Sequence, residues 1–168
     1  EVLIAASIMS VIILGVMRVN DNLISVEQGF HQTQDALEIL SNTKLFMGHQ
    51  VSCMGVFNQA KKKRSGGQHF IPTSGSFDSI KNFSGTDFLS VGDRYGKLKV
   101  LDMKFEPRKG YFEEDSFDNE RGLIDVSIVL QGIGKLKRLR TKVLPVWVYA
   151  HKKSNQSAEI QYCDSSRS

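Results

Sequence analysis

The chain begins with an unbroken apolar run. Val2 to Met17 (VLIAASIMSVIILGVM) contains no charged residue and is followed by Arg18. At about 1.5 Å per residue this run forms a helix about 24 Å long, slightly shorter than the ~30 Å hydrocarbon core of a bilayer. Its valines and isoleucines do not oppose a helix, because the backbone must satisfy its own hydrogen bonds in lipid. A cleaved signal peptide would carry a basic segment and a small-residue cleavage site, and neither appears around Arg18, which predicts that the helix stays in the mature protein.

Beyond Arg18 the apolar residues recur at spacings of three, four or seven, which predicts an amphipathic helix. The residues of this stripe are Leu23, Val26, Phe30, Leu37, Leu40, Met47, Val51 and Met54. Since no proline precedes Pro72, we predict one helix from about residue 2 to about residue 58. Weak helix formers at Asn20–Asn22 favour a bend there. A two-stranded coiled coil is the alternative, although Thr33 and Lys44 interrupt the stripe.

A basic cluster follows the predicted helix. Its members are Lys61, Lys62, Lys63 and Arg64, and two glycines come directly after them. Cations at a helix C-terminus are stabilised by the helix dipole, so the cluster needs no ligand. The functional interpretation is an anionic partner such as DNA or lipid headgroups. Residues 65–96, rich in Gly, Ser, Asn and Asp, predict an irregular loop layer held in place by scattered aromatic residues.

Three strands are predicted in the second half of the chain: Leu98–Glu106, Leu123–Leu130 and Leu136–Tyr149. The glycines at 132 and 134 predict a tight hairpin, and Arg108–Gly122 predicts a longer acidic loop. Pro145 places the third strand at an edge or a bulge. The predicted fold class is α+β, a long helix whose residues 37–58 cover one face of a small antiparallel sheet.

The length and composition of the chain limit the number of folded domains it can contain. With 168 residues, of which 40% are hydrophobic and 24% charged, the chain can bury one core. We therefore predict an apolar helix half at residues 1–20 and one soluble domain at residues 21–168. The net charge of +4 is mild and identifies no partner.

The two cysteines are far apart and form no CxxC pair. Cys53 lies on the predicted helix and Cys163 ends a last strand-like piece, Ala158–Cys163. A disulfide between them would clamp the end of the chain onto the helix and would require an oxidising compartment. Two free buried thiols are the alternative.

The N-terminal pattern resembles that of type IV pilins and type II secretion pseudopilins. In these families a glutamate follows a short apolar lead and precedes an apolar helix, whose amphipathic half packs on an antiparallel sheet. Residues 1–16 (EVLIAASIMSVIILGV) are similar to this signature beginning at the glutamate. The resemblance implies that four mature residues, the first of them methylated, and a leader glycine precede Glu1. Family members often carry a disulfide with both cysteines near the C-terminus, and Cys53 departs from that pattern.

The resemblance implies roles for three residues of the apolar half. Glu1 is expected to meet the N-terminal amine of a neighbouring subunit and to set the register of assembly, since a carboxylate at the edge of lipid persists when a cation pairs with it. A solvated carboxylate is the alternative. Ala6 and Ser10, four residues apart, form a small-xxx-small pair that permits close approach of helices, or they are ordinary anchor composition.

No catalytic or metal site is expected. The GxSxG, Walker A and HExxH motifs are absent from the sequence, so we predict no enzyme activity and no cofactor. An acidic segment is a weak calcium candidate, as a loop in some pseudopilins holds that ion, but it lacks the spacing of a known calcium loop. Its members are Glu113, Glu114, Asp115, Asp118 and Glu120.

The function implied by the resemblance is a structural subunit of a type IV pilus or pseudopilus. Such a subunit is anchored in the bacterial inner membrane with a periplasmic domain and then packs through its N-terminal helix in a filament. Its expected partners are other pilin or pseudopilin subunits, the inner-membrane assembly platform and, before assembly, the bilayer. The alternatives are a pilus-tip module that binds DNA or another ligand through Lys61–Arg64, and a solitary anchored protein of the periplasm.

Overall fold

A computed structural model describes residues 2–62, 74–114, 119–154 and 157–165. Two helices come first, α1 (Val2–Met47) and α2 (Gln50–Lys62). Eight strands follow in the described residues: β1 (Gly75–Ser76), β2 (Ser79–Lys81), β3 (Asp87–Ser90), β4 (Arg94–Tyr95), β5 (Leu98–Glu114), β6 (Asn119–Gly132), β7 (Leu139–Ser154) and β8 (Ser157–Asp164).

The long helix is interrupted once, and not where the sequence indicated. It runs without a break through Asn20–Asn22 and ends at Met47, and Gly48 and His49 separate it from α2, so the prediction of one helix to residue 58 was wrong. The His49 amide bonds to the Phe46 carbonyl at 2.9 Å, a tightened last turn. The Lys44 carbonyl accepts from both the Gly48 amide at 3.2 Å and the Ser165 hydroxyl at 2.6 Å, so the C-terminal segment contacts the end of the helix. Glycine is a weak helix former, and a cap from the C-terminal segment stabilises the interruption.

The strands form an antiparallel sheet in the order β1-β5-β6-β7-β8, with β4 also paired to β5, while β2 and β3 form a separate hairpin. The predicted α+β fold is therefore confirmed. The predicted loop at 108–122 was wrong, because β5 extends to Glu114 and β6 begins at Asn119. An irregularity in the pairing between Pro107 and Phe112 contains Gly110, whose φ is +83°. This β-bulge accommodates Pro107 and the turn residues within the strand, although the same residues had indicated a loop.

The predicted tight hairpin at the glycines is instead a six-residue loop, 133–138, between β6 and β7. The loop is longer because it turns toward α1, where the Gln32 side-chain amide donates to the Leu136 carbonyl at 3.0 Å. Pro145 pairs with Asp125 of β6 and lies beyond the last β8 pair, Trp147 with Asp164. At that position β7 is an edge strand, as the proline indicated.

The core lies between α1, α2 and one face of the sheet. From the sheet it takes the inward residues of β5, β6 and β7, and from the hairpin and its approach it takes Phe77, Ile80 and Leu89. From α2 it takes Cys53, Val56 and Phe57. The described part of residues 65–96 contains the short strands β1–β4, so the prediction of an irregular layer was wrong in part, while apolar side chains hold this segment in place as expected.

The buried face of α1 differs from the predicted stripe. It consists of Gln32, Ala36, Ile39, Thr43 and Met47, all fully buried. Of the predicted stripe, Met47 is buried and Leu40 and Met54 are half-buried. The other members of the stripe are exposed: Leu23, Val26, Phe30, Leu37 and Val51. Hydropathy missed the true face because two of its five members are polar and one is small.

The contact between α1 and the loop 133–138 predicts opposite effects for two glycines. A Cβ at Gly132 would collide with the Leu136 carbonyl oxygen and the buried Gln32 amide, whereas a Cβ at Gly29 would meet Leu136 Cδ1 at an ordinary 3.7 Å. We expect Gly132→Ala to lower the free energy of unfolding by about 1–3 kcal/mol. Gly29→Ala, in mid-helix, should raise it by up to about 1 kcal/mol. Urea unfolding of both variants measures the difference, and equal shifts would contradict the loop placement.

Candidate interaction surface of the first helix

The described side chains in the apolar half of α1 are exposed on every side of the helix. Between Met9 and Val19 every described side chain is exposed, and the large apolar ones are 51% to 71% exposed. By length and composition, α1 is the one helix among the described residues that could cross a membrane. Apolar surface exposed to water is unfavourable by about 25 cal/mol per Å², and lipid or other protein around this half would remove that cost.

An apolar strip continues this surface past the point where the sheet domain begins. It consists of Val19, Leu23, Val26, Phe30 and Leu37, which are between 55% and 71% exposed. Their spacings of four, three, four and seven keep them on one side of the helix. At about 100° per residue the strip lies roughly a third of a turn from the buried face. We call these five residues the outward strip.

Polar contacts on the other side of α1 fix the domain to the helix and so fix the direction of the outward strip. Lys135 Nζ lies 2.7 Å from Asp21 Oδ1, and Tyr95 Oη donates to Glu38 at 2.8 Å. The Lys97 amide donates to Asp35 at 2.6 Å. Burial of the Tyr95 phenol, together with its hydrogen bond to Glu38, raises the pKa of Tyr95. The three contacts to the helix extend from residue 21 to residue 38 and so begin shortly after the apolar run ends.

The disulfide ties the other end of the helical region to the sheet. Cys53 of α2 is bonded to Cys163 of β8, with their Cα atoms 6.0 Å apart, which confirms the predicted pairing. Both cysteines are at most 4% exposed. The bond spans 110 residues and fixes β8 next to the junction of α1 and α2. Ser165 can therefore reach Lys44, two residues after the bonded cysteine.

The residues predicted for assembly lie at or near the start of α1. Glu1 lies outside the described residues, while Ala6 and Ser10 are both in α1, one turn apart. Ser10 is exposed. Of the basic cluster, Lys61 and Lys62 end α2, and Lys63 and Arg64 lie outside the described residues. The DNA-binding alternative therefore stays a prediction.

The acidic segment is largely part of the sheet. Glu113 accepts hydrogen bonds from Arg121 across the β5–β6 pair, and this contact raises the pKa of the Arg121 guanidinium. Glu114 ends β5 opposite Glu120 of β6, and Asp115 and Asp118 lie outside the described residues. Within the described ranges no three metal-ligating side chains come together. The Glu113 carboxylate is engaged by Arg121 in this arrangement, and the calcium site stays a prediction.

Sequence reasoning missed two features of this surface. It placed Leu37 on the face that covers the sheet and put Leu23, Val26 and Phe30 on the same stripe, although all four are exposed and belong to the outward strip. It also passed over residues 135–142 (KLKRLRTK), where five of eight residues are basic. The available signal was the absence of any acidic residue in that segment.

No protein-family model, no curated protein and no solved structure matches this chain. What the structure establishes is a long apolar N-terminal helix packed on an antiparallel sheet, a pilin-like shape with an internal disulfide.

Proposed function

We propose that the chain is a structural subunit of a type IV pilus or pseudopilus. Its apolar half-helix anchors it in the bacterial inner membrane, and after extraction the same helix packs against other copies in the filament. The observation that carries this proposal is the exposed apolar surface that runs along α1 from Met9 to Phe30, with Leu37 two turns further on the same side. Insertion in a membrane alone would bury the first part of that surface but would leave the outward strip exposed to water.

The length of the strip distinguishes packing between subunits from simple anchoring. Phe30 lies thirteen residues beyond Met17, which is about 20 Å along the helix and outside a bilayer that ends near Arg18. Phe30 is 67% exposed, although its ring lies edge-on to the ring of the adjacent His31, with the two centroids 6.0 Å apart. Side-by-side packing of copies would bury Phe30 and Val26 at a gain of about 1.5–3 kcal/mol for each side chain.

The disulfide supports a compartment outside the cytosol. Structural disulfides persist in oxidising surroundings such as the bacterial periplasm. Cys53 and Cys163 lie in the domain that, in this proposal, faces the periplasm and after assembly lies in a pilus or pseudopilus. In this proposal Glu1 pairs with the N-terminal amine of a neighbouring subunit, Ala6 and Ser10 permit close helix contact, and the protein carries out no catalysis.

Fractionation of cells that carry the assembly system tests the proposal. With the assembly ATPase deleted, the chain should stay in the membrane pellet after carbonate extraction. With the ATPase present, part of it should move to the sheared-filament fraction or to fibres retained in the periplasm. Recovery of the chain as a soluble periplasmic protein in both strains would contradict the proposal, and a membrane-bound chain that never enters a fibre would favour the solitary anchored protein.

A further inference from the structure

A group of cations lies on one side of α1 just beyond its apolar half. The loop 133–138 places Lys135, Lys137 and Arg138 on the surface, and Lys97 is bound to the same loop through its carbonyl, which accepts from the Ile133 amide at 2.8 Å. Arg18 is exposed and lies fourteen residues before Gln32, close to four helical turns, and so on the same side of α1. We call Arg18, Lys97, Lys135, Lys137 and Arg138 the basic collar.

The collar has an excess of positive charge after its contacts are counted. Asp21 pairs with Lys135 at 2.7 Å, and Asp35 accepts from the Lys97 amide at 2.6 Å. Five cations and these two carboxylates leave a formal charge of +3, compared with +4 for the whole chain. No described acidic side chain forms an ion pair with Lys137 or Arg138.

The collar is also close to where a bilayer surface would be. Gly134 lies beside the Gln28 side chain, eleven residues beyond Met17 and so about 16 Å further along the helix. Headgroups occupy about the first 5–8 Å of that distance. The remainder is comparable to the Debye length of about 8 Å in physiological salt. A typical helix tilt of about 20° toward the loop brings Lys137 and Arg138 closer still.

We propose that the basic collar binds anionic lipid headgroups while α1 spans the membrane. The inference rests on the anchoring step of the proposed function and names the lipid class that the anchored subunit prefers. Each cation near an anionic surface strengthens membrane association by about fivefold, so a collar of net charge +3 is sufficient to orient the domain. Phosphate oxygens of the headgroups accept hydrogen bonds from lysine and arginine side chains.

This contact has a consequence for assembly. The collar lies on the side of α1 that packs on the domain, and the outward strip lies roughly a third of a turn away at about 100° per residue. Headgroup binding therefore draws the domain down on one side and leaves Val26 and Phe30 accessible to a second copy. Extraction into a filament must break the collar contacts, so anionic lipid holds the subunit in the membrane.

The test uses the full chain in lipid nanodiscs, with hydrogen exchange measured for the amides of residues 133–138. In nanodiscs with about a third phosphatidylglycerol, exchange should be several-fold slower than in pure phosphatidylcholine, and 0.5 M salt should abolish the difference because screening shortens the Debye length to roughly 4 Å. The double variant Lys137→Gln, Arg138→Gln should lose the protection.

The matched control removes the same charge elsewhere. Lys104→Gln with Lys109→Gln also lowers the net charge by two, on β5 and away from the collar, and should retain the protection. Equal exchange in both lipids, or loss of protection in this control, would overturn the proposal. Protection that arises only when further copies of the chain are added would assign the collar to an acidic protein surface and would overturn it as well.

The same samples separate this inference from the proposed function. A chain that fails to enter nanodiscs of either composition contradicts the anchoring step and the collar together. If the chain inserts stably but its hydrogen exchange is the same in both lipids, lipid binding by the basic collar is contradicted, whereas the proposed function as a filament subunit is not.

Discussion

Replacing Cys53 and Cys163 together by alanine is expected to lower the free energy of unfolding by about 4–5 kcal/mol. The bond closes a segment of 110 residues, and cross-linking a loop of that length removes a large part of the entropy of the unfolded chain. It also fixes β8 and the Ser165 cap against the junction of α1 and α2. Since domains of this size are stable by about 5–15 kcal/mol, the variant should be close to unfolding at 37 °C.

Urea unfolding in detergent measures this effect through Trp147, the single tryptophan, which pairs with Asp164 of β8. The midpoint should fall by roughly 2 M, given a urea dependence of about 1–3 kcal/mol per M. Reductant should bring the wild type to the same midpoint and should not change the variant. If both the variant and the reduced wild type unfold at the original midpoint, the bond does not form in the protein.

The second large effect is on assembly. Val26→Asp should lower the yield of filaments at least about tenfold, because a lone carboxylate in a helix-to-helix contact loses its hydration without gaining a partner. Val26 is 71% exposed in the single chain, so its replacement should change the free energy of unfolding by no more than about 0.5 kcal/mol. It lies nine residues beyond Met17, about 13 Å along the helix, so insertion of the anchor should be unaffected.

The matched control for this variant is Val143→Asp. Val143 is also an exposed valine, 48% exposed, but it lies on β7 on the face of the sheet that points away from α1. Filament yield, membrane insertion and unfolding should all be close to wild type in the control. An equal loss of filaments in both variants would indicate a general effect of added charge, and normal filaments in Val26→Asp would remove the outward strip from the assembly contact.

The fold could be predicted from sequence because its strongest signals are local. The charge-free run at Val2–Met17, the β-branched segments beginning at Leu98 and Leu123, and the strand carrying Cys163 each identify an element without knowledge of its neighbours. The sequence placed Cys53 on a helix and Cys163 on a strand but left both a disulfide and two free thiols open, and the structure shows the disulfide.

The errors arise where a distant segment decides the outcome. Gln32 can be fully buried because its side-chain amide donates a hydrogen bond to the carbonyl of Leu136, in a loop far along the chain. The hydropathy of the residues around Gln32 gives no information about that partner. Gly48 ends α1 with help from Ser165, near the other end of the chain. Phe30 looks like a core residue by spacing, although its partner is expected on another molecule. A hydrophobic pattern indicates that a side chain will be buried, but it does not identify the residues or the molecule that will bury it.

The proposal that α1 lies in lipid and then among other copies is tested most directly by photo-crosslinking from its surface. A benzoylphenylalanine at Phe30, on the outward strip, should give adducts between two copies of the chain in sheared filaments. The same probe at Ile12 should give lipid adducts in membranes of cells that lack the assembly ATPase. Filaments or membranes in which neither position reacts with anything outside its own chain would contradict the account.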